Sequence, residues 1–219
     1  MDAAAGKTVK ALALFDFDGT MLRGDSIVAY VGFARKKRIL SLFGYVRTWL
    51  PAFLYLLKKI TAEESKTRAL SFRMEMNEQE REALDRSFVR ENLLPRLYPQ
   101  AKDRLEKHRK EGKKLVLVTA STENYMRFVA DALGFDGLLA SPMDEAGRVY
   151  DNCRGEEKTK RIHDWLKENR IQADFASSWA YGDSKSDLPM LRLAGHPVQV
   201  NPKKKLRKAA PDMEAISWG

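Results

Sequence analysis

The stretch LALFDFDGTMLRGD, residues 12–25, places two aspartates directly after an apolar run. The run ends at Phe15, and Asp16 and Asp18 follow it. A short apolar run of this kind predicts a strand that is buried on both faces of a parallel sheet. Burying two neighbouring carboxylates is unfavourable unless a cation or hydrogen-bond donors accompany them. The stretch therefore predicts an α/β fold with a polar site at the end of its first strand.

Further along the chain, apolar strands alternate with amphipathic helices, and Gly134 gives one of these helices a C-terminal stop signal. This alternation predicts a Rossmann-like parallel sheet that carries helices on both faces. A short hairpin is predicted around Gly147, over 144–152. The predicted strands cover 11–15, 113–121, 137–141, 175–183 and 196–200, and the predicted helices cover 99–111, 123–134, 156–169 and 186–195.

Residues 24–95, hereafter the insertion, interrupt this alternation because they are helical in composition and contain no convincing strand. We therefore divide the chain into a core, formed by residues 1–23 and 96–219, and an inserted helical cap domain over 24–95. The insertion follows the first strand directly. It is therefore expected at the carboxyl end of the sheet, above the two aspartates.

Polar side chains also end other predicted strands, and ligands of α/β proteins gather at the carboxyl ends of the strands. Thr119 ends the second strand, Asp183 follows a later one, and Lys158 lies near the start of a helix. The carboxylates of Asp16 and Asp183 are hard oxygen ligands of the kind that Mg²⁺ prefers. A metal ion there would relieve the repulsion between the acids and neutralise a phosphate group.

The same residue types suit phosphoryl transfer. Asp16 could attack phosphorus and form an aspartyl-phosphate. Asp18 lies on the same side of an extended chain, where it could protonate the leaving oxygen and later activate water. Lys158 offers a positive charge to phosphate and Thr119 offers a hydroxyl donor.

The motifs FDFDGT, VTAS, GEEK and YGDSKSD together resemble those of the haloacid dehalogenase-like phosphohydrolases, in that family's order and over residues 11–200. The resemblance implies a catalytic nucleophile, a general acid/base, a phosphate site and a Mg²⁺ site. The implied residues are Asp16 (nucleophile and metal ligand), Asp18 (acid/base, and metal ligand through its backbone carbonyl), Thr119, Ala120 and Lys158 (phosphate), and Asp183 and Asp187 (metal).

The helical insertion resembles the cap of the phosphoserine-phosphatase-like branch of that family. In that branch an acid shortly after the first motif faces the substrate, and Asp25 is the matching position. The branch also uses a cap arginine near the phosphate, for which Arg68 and Arg73 are both candidates. Phosphoserine phosphatases have two glycines where this chain has Ala120 and Ser121, which argues against phosphoserine as the substrate.

Between Ser26 and Ile60 there are seven basic residues and no acidic one. The apolar run 39–57 lies between two basic clusters and has three interpretations: packed cap core, a membrane-surface element, or a transmembrane span. Arg47 and Pro51 within the run count against a span. The run, CRGEEK and GDSKSDLPML are similar to bacterial phosphatidylglycerophosphate phosphatases of the same superfamily, which favours contact with a membrane surface.

The formal net charge is +9, which favours anionic substrates. Nucleic acid is not predicted as a partner, since no recognition motif accompanies the charge. The basic tract 201–211 is interpreted as a solvated helix end or a tail. The lone Cys153 fits a reducing compartment, and the N-terminal apolar stretch is too short for a signal peptide. We therefore expect a cytoplasmic protein and leave membrane association open.

These observations lead to one main hypothesis and two alternatives. The main hypothesis is a Mg²⁺-dependent phosphomonoester phosphatase that acts on a small phosphorylated metabolite through an aspartyl-phosphate. The first alternative is a phospholipid phosphatase, of the phosphatidylglycerophosphate type, in peripheral contact with an anionic membrane. The second alternative is a catalytically inactive binding protein that keeps the fold.

Overall fold

The computed structural model describes residues 8–219, and its centre is a six-stranded sheet in which all paired neighbours run parallel. The order of the strands across the sheet is β3-β2-β1-β4-β5-β6. Residues 1–7, on which part of the signal-peptide interpretation rests, lie outside the described residues. The strands are β1 (Thr8–Phe15), β2 (Lys114–Thr122), β3 (Gly137–Ser141), β4 (Ile171–Gly182), β5 (His196–Val200) and β6 (Glu214–Ile216).

Strand β1 occupies the middle of the sheet and is buried on both faces. Its residues Leu12 and Leu14 belong to one apolar cluster, whereas Ala13 and Phe15 belong to a second cluster on the opposite face. This alternation follows from the two-residue period of a strand. The prediction of a parallel α/β sheet covered on both faces is therefore confirmed.

Ten α-helices are found in the described residues, and they fall into two groups. Five lie within the insertion. The other five alternate with the strands and cover the sheet. The first group is α1 (Ser26–Lys36), α2 (Leu42–Arg47), α3 (Trp49–Leu56), α4 (Ala62–Ala69) and α5 (Glu78–Phe88); the second is α6 (Pro99–Lys110), α7 (Glu123–Leu133), α8 (Glu156–Glu168), α9 (Leu188–Leu193) and α10 (Lys204–Ala209).

Aromatic side chains join the insertion to one face of the core. Tyr30 of α1 and Phe88 of α5 both pack against Tyr125 of α7, and the Phe88 and Tyr125 ring centroids are 5.3 Å apart. All three side chains are fully buried. Burying large aromatic side chains is strongly favourable, so this cluster fixes the insertion on α7, beside the end of β2.

The apolar run 39–57 does not form one continuous element. It divides into α2 and α3, which meet at Thr48. Among residues 8–219, no helix combines the length and the apolar composition that crossing a membrane requires. Of the three interpretations of this run, packed cap core does not hold for the whole run, because Phe43 and Leu56 are 78% and 76% exposed.

Elsewhere the differences from expectation are local. Strand β4 begins at Ile171 rather than 175, because its first residues pair with the start of β1. The predicted hairpin contains an antiparallel bridge between Met143 and Val149. The basic tract 201–211 is not a tail, since it forms α10 and leads into β6.

Candidate active site

The carboxyl ends of β1, β2 and β4 meet at one edge of the sheet, because these three strands are neighbours. Asp16 follows β1, Thr119 lies near the end of β2, and Asp183 follows β4. These residues line a cavity of about 720 Å³ between the sheet and the insertion. The same cavity is lined by the other core residues for which we predicted phosphate or metal contacts: Asp18, Ala120, Lys158 and Asp187.

Asp16 lies at the buried end of the cavity. Its Oδ1 accepts a hydrogen bond from Lys158 Nζ at 2.7 Å, and its Oδ2 accepts one from the Thr20 hydroxyl at 3.0 Å. Burial raises the pKa of Asp16 to about 7, with the neighbouring Asp187 carboxylate adding to the rise and Lys158 opposing it. The Asp16 side chain is thus held in one orientation by fixed donors, as a nucleophile requires.

Lys158 comes from the first turn of α8, which begins after Gly155 at a positive φ of 64°. Its ammonium also donates to Asp187 Oδ1 at 2.7 Å and to the Val118 carbonyl at 2.9 Å. Burial lowers the pKa of Lys158, but the Asp16 and Asp187 carboxylates outweigh burial and raise it above the ordinary value. Lys158 therefore remains a cation at the buried end of the cavity.

Asp18 lies where the insertion begins. Its Oδ1 accepts from the Ser26 backbone N–H at 2.8 Å, and its Oδ2 accepts from the Ser26 hydroxyl at 3.0 Å and from the Ser121 hydroxyl. Burial raises the pKa of Asp18 to about 6, and the Asp25 carboxylate adds to the rise. A carboxyl group with a pKa near neutrality suits general acid–base chemistry.

Three carboxylates form a cluster that could hold a metal ion. Asp16, Asp183 and Asp187 each offer an oxygen, and these oxygens lie within 4.8 Å of one another. Burial raises the pKa of Asp183. Burial acts in the same direction on Asp187, but the Lys158 cation outweighs it and lowers that pKa. Carboxylate oxygens are the donors that divalent Mg²⁺ prefers, so the residues present fit such an ion.

Contacts from the chain hold two of these acids. Asp183 Oδ2 lies 2.7 Å from Lys203 Nζ in a salt bridge. Asp187 Oδ2 accepts from the Ser184 backbone N–H at 2.9 Å and from its hydroxyl at 2.8 Å. Gly19 packs closely against the cluster, since a Cβ atom there would lie 2.2 Å from Asp183 Oδ2. Only glycine fits at this position of the site.

The end of β2 carries Thr119 and Ala120, two of the residues for which phosphate contacts were predicted. Thr119 is buried, and its hydroxyl oxygen accepts from the Ser121 backbone N–H at 3.0 Å. The Ala120 carbonyl accepts from the Ser141 hydroxyl at 2.7 Å. Ser121, at a position where phosphoserine phosphatases have glycine, instead donates to Asp18. The departure from that pattern thus adds a donor beside Asp18.

Neither candidate arginine of the insertion lines the cavity, so the structure gives no support to the expectation of a cap arginine near the phosphate. Arg73 is buried in a separate ion pair, in which its Nη2 donates to Asp85 Oδ2 at 2.8 Å. Arg68 is exposed and does not line the cavity. Asp25 does line it, on the exposed side, where its Oδ1 caps α1 by accepting from the Val28 backbone N–H at 3.0 Å.

The cation that the insertion brings to the cavity is Lys66 of α4. Its ammonium donates to the Ala120 carbonyl and, at 2.7 Å, to Asn152 Oδ1. Burial lowers the pKa of Lys66 to about 8, although Asp18 and Asp25 oppose the shift. Lys66 could not be predicted from the sequence, because its surroundings, AEESKTRA, are those of an exposed helix and its partners lie 54 and 86 residues away.

The remaining walls of the cavity are mostly apolar. Helix α1 contributes Ile27 and Val31, and α3 contributes Trp49, Ala52 and Tyr55. The Tyr55 hydroxyl accepts a hydrogen bond from Arg154 Nη1 at 2.7 Å. Three exposed lysines complete the rim: Lys203, Lys204 and Lys205. The cavity therefore joins a charged end, suited to phosphate, to an apolar and aromatic side.

A family model for haloacid dehalogenase-like hydrolases matches residues 13–192. The chain is 26% identical to a histidinol-phosphatase of Neisseria meningitidis serogroup C (strain 8013), over 93% of this chain and 96% of that protein. It is 29% identical to a probable phosphatase of Mycobacterium tuberculosis (strain ATCC 25618 / H37Rv), over 92% of this chain and 72% of that protein. The chain belongs to the haloacid dehalogenase-like hydrolase family, and these relatives identify it as a phosphatase.

Solved structures share the same architecture. A protein of unknown function from Bordetella pertussis Tohama I superposes with a TM-score of 0.86 at 27% identity, covering 95% of this chain and 99% of that one. A substrate-bound phosphoserine phosphatase superposes with a TM-score of 0.67 at 18% identity, over 94% of this chain and 92% of that one. The second likeness concerns the fold alone.

Proposed function

We propose that the protein is a Mg²⁺-dependent phosphomonoester phosphatase that works through an aspartyl-phosphate on Asp16. The observation that carries this proposal is the Asp16 carboxylate, which Lys158 and Thr20 orient at the buried end of the cavity. An acid beside it, Asp18, has a pKa raised to about 6. Nucleophile, cation and acid are thus within one cavity.

The reaction has two steps. An Asp16 oxygen attacks phosphorus, the bond between phosphorus and the ester oxygen breaks, and Asp18 gives its proton to the departing alcohol. Water then attacks the phosphorus of the aspartyl-phosphate, Asp18 takes a proton from that water, and the P–O bond to Asp16 breaks. The products are an alcohol and inorganic phosphate, and both carboxylates return to their starting state.

The donors around Asp16 are suited to bind the phosphate. Lys158 supplies a buried positive charge, while the Thr119 side chain and the backbone of Ala120 lie at the end of β2. We assign Lys66 to the role expected of a cap arginine, since it is the cation that α4 brings to the Ala120 carbonyl. In this proposal the insertion acts as a cap domain over the site.

The carboxylate cluster is proposed to bind Mg²⁺ through Asp16 and Asp183, with the Asp18 backbone carbonyl as a further ligand and Asp187 beside them. When bound, the ion neutralises the phosphate as it approaches the Asp16 carboxylate. Asp187 also positions Lys158, because its Oδ1 accepts from the Lys158 ammonium at 2.7 Å. Asp187 thus contributes through Lys158 whether or not it touches the metal.

For the substrate we propose a small phosphomonoester with an apolar or aromatic body. The supporting observation is the wall formed by Ile27, Val31, Trp49 and Tyr55. Asp25 lies on the exposed side of the cavity and is available to an ammonium group on the substrate. The Neisseria relative is named a histidinol-phosphatase. Histidinol phosphate combines an aromatic imidazole body, which would suit the apolar wall, with an ammonium group, which would suit Asp25.

A lipid phosphate is the second candidate substrate. The apolar walls suit an acyl body as well as an aromatic one, and the rim lysines 203–205 attract anionic headgroups. In this alternative the enzyme works in peripheral contact with an anionic membrane. The two candidates share the same reacting group and differ only in the body of the molecule.

The test is a phosphatase screen with and without Mg²⁺, using an aryl phosphate, histidinol phosphate, phosphoserine, sugar phosphates, nucleotides and lipid phosphates. Asp16→Asn is the blank, and we expect its turnover to vanish on every compound while its unfolding remains cooperative. Acid-quenched wild-type enzyme is expected to carry a hydroxylamine-labile phosphoryl group. Wild-type activity in Asp16→Asn would rule out the assigned nucleophile. Inactivity of the wild type on all compounds, with salt-sensitive binding of nucleic acid, would favour a binding protein instead.

A further inference from the structure

Helices α2 and α3 expose a continuous apolar face, hereafter the α2–α3 face. The helices meet at Thr48, whose φ of −68° and ψ of −16° continue the helical path. Thirteen large apolar side chains are exposed among residues 9–219, and nine of them lie in this short segment. These nine are Ile39, Leu42, Phe43, Val46, Trp49, Leu50, Phe53, Leu56 and Leu57.

The spacing of these side chains makes them one face rather than a scatter. Successive members such as Leu42, Val46, Trp49, Phe53 and Leu56 are three or four positions apart, which is the period of a helix surface. The adjacent side of the segment, which includes Thr48, Ala52 and Tyr55, lines the cavity. The apolar face therefore points to solvent, and an apolar patch of this size marks an interaction surface.

The charged residues within the chain segment that carries the α2–α3 face are all basic. The chain has no acidic residue between Ser26 and Ile60. Four exposed basic residues lie beside or within the apolar segment, namely Arg38, Arg47, Lys58 and Lys59. Arg38 and Lys58 have positive φ angles of 62° and 56°. Glycine is the favoured residue in that conformation, so the cations at these two positions are kept at a backbone cost.

We propose that the α2–α3 face docks on the interfacial region of an anionic phospholipid bilayer. The apolar side chains enter the boundary of the acyl chains, and the lysines and arginines around them face anionic headgroups. A second copy of this chain fits less well, because self-association would bring two basic clusters together. Trp49 belongs both to this face and to the cavity wall, so the docked protein holds its cavity beside the bilayer.

The docking surface does not depend on the proposed phosphatase activity. The Asp16→Asn variant of the chain is therefore the test protein, mixed with vesicles of phosphatidylcholine alone or of phosphatidylcholine with phosphatidylglycerol. We expect co-sedimentation with the anionic vesicles, weaker co-sedimentation with the neutral ones, and loss of binding as salt is raised. The emission of Trp49 is expected to shift to the blue on the anionic vesicles, and Trp49→Phe is expected to abolish that shift.

Two sets of variants separate the apolar and the charged contributions. Phe43→Ser and Leu50→Ser are each expected to weaken vesicle binding about tenfold, with Tyr150→Ser, an exposed aromatic outside the face, as the control. Arg38→Gly and Lys58→Gly each remove a charge while relieving a positive φ, so they are expected to keep or raise the melting temperature. Binding is expected to fall about fivefold for each charge, the fold-change for about 1 kcal/mol. Lys102→Gln and Lys110→Gln on α6 are the matched charge controls.

Several outcomes would overturn the docking surface. One is an Asp16→Asn protein that does not bind anionic vesicles at low salt. Another is undiminished vesicle binding by the serine variants, which would show that the apolar side chains do not contribute and that charge alone attracts the protein. A third is a dimer in sedimentation velocity, without lipid, that Phe43→Ser dissociates, because the face would then be covered by a second copy. The phosphatase proposal survives each of these results, since its own test is turnover by the wild type.

Discussion

Lys158 Nζ lies 2.7 Å from Asp16 Oδ1, and both side chains are buried. The same ammonium contacts Asp187 Oδ1 at 2.7 Å, so one cation serves two carboxylates. A lysine that donates to two buried carboxylates keeps its proton. Its hydrogen bond to Asp16 Oδ1 also holds that oxygen in place. The ion pair therefore stabilises the core and, in the proposed mechanism, orients the nucleophile.

Replacing Lys158 by methionine is expected to lower the free energy of unfolding by about 3–5 kcal/mol, because it leaves buried carboxylates without their cation. Turnover of an aryl phosphate is expected to fall to the level of Asp16→Asn. Urea unfolding and a phosphate-release assay measure the two effects. The double variant Lys158→Met/Asp16→Asn should regain part of the stability and none of the activity. A methionine variant as stable as the wild type would contradict the assigned ion pair.

Lys66 and Arg68 lie two positions apart on α4 and give a matched comparison. Lys66→Gln removes the contacts to Ala120 and Asn152, so kcat/KM is expected to fall by about 10- to 100-fold through lost positioning. Lys66→Arg should retain part of the activity. Arg68→Gln is expected to leave kinetics unchanged, because Arg68 does not line the cavity. Equal losses in Lys66→Gln and Arg68→Gln would show that the assignment of Lys66 is wrong.

The Arg73–Asp85 pair, by contrast, is expected to be structural. Arg73→Met leaves Asp85 buried without its cation, and the free energy of unfolding is expected to fall by about 3–5 kcal/mol. KM for an aryl phosphate is expected to stay at the wild-type value under conditions in which the variant is folded. The double variant Arg73→Met/Asp85→Leu should recover much of the loss. A raised KM in that double variant would instead place Arg73 at the substrate.

The buried imidazole of His108 is expected to make the free energy of unfolding depend on pH. Its Nε2 lies 2.7 Å from the Tyr181 hydroxyl oxygen, and burial lowers the pKa of His108 from the ordinary 6.5 to about 4. The unfolded chain therefore takes up this proton first as the pH falls. The contribution is fully present above pH 7 and is lost progressively towards pH 4, by about 3 kcal/mol.

Urea unfolding at several pH values between 7 and 4.5 measures this slope. His108→Gln is expected to flatten it, whereas His163→Gln, which removes an exposed histidine from α8, should leave it as in the wild type. An unchanged slope in His108→Gln would assign the acid sensitivity to other groups.

The positions of the core residues could be predicted from the sequence because a parallel sheet imposes them. Asp16, Thr119 and Asp183 follow apolar runs, and neighbouring parallel strands bring their carboxyl ends to one edge. Lys158 could be included because it opens a helix that follows this pattern. Strand β6 was missed, since its three residues EAI carry no strand signal before they pair with β5.

The insertion could be predicted only in outline. Its helices follow from composition, but which side chain reaches the cavity depends on packing between distant segments. Arg73 and Lys66 are both basic residues of the insertion, and only Asp85 in the packed structure decides that Arg73 turns away. The apolar run 39–57 was expected to pack against other helices or against a membrane. Its helical period does not decide which of its sides faces the core. The structure places Tyr55 inward and Phe53 outward.

Asp18 is held by the first residue of α1, through both the backbone N–H and the hydroxyl of Ser26. The same helix continues into the segment that covers the cavity. Any displacement of α1 would break these two hydrogen bonds, so in the proposed reaction the position of the insertion and the proton affinity of Asp18 would be coupled.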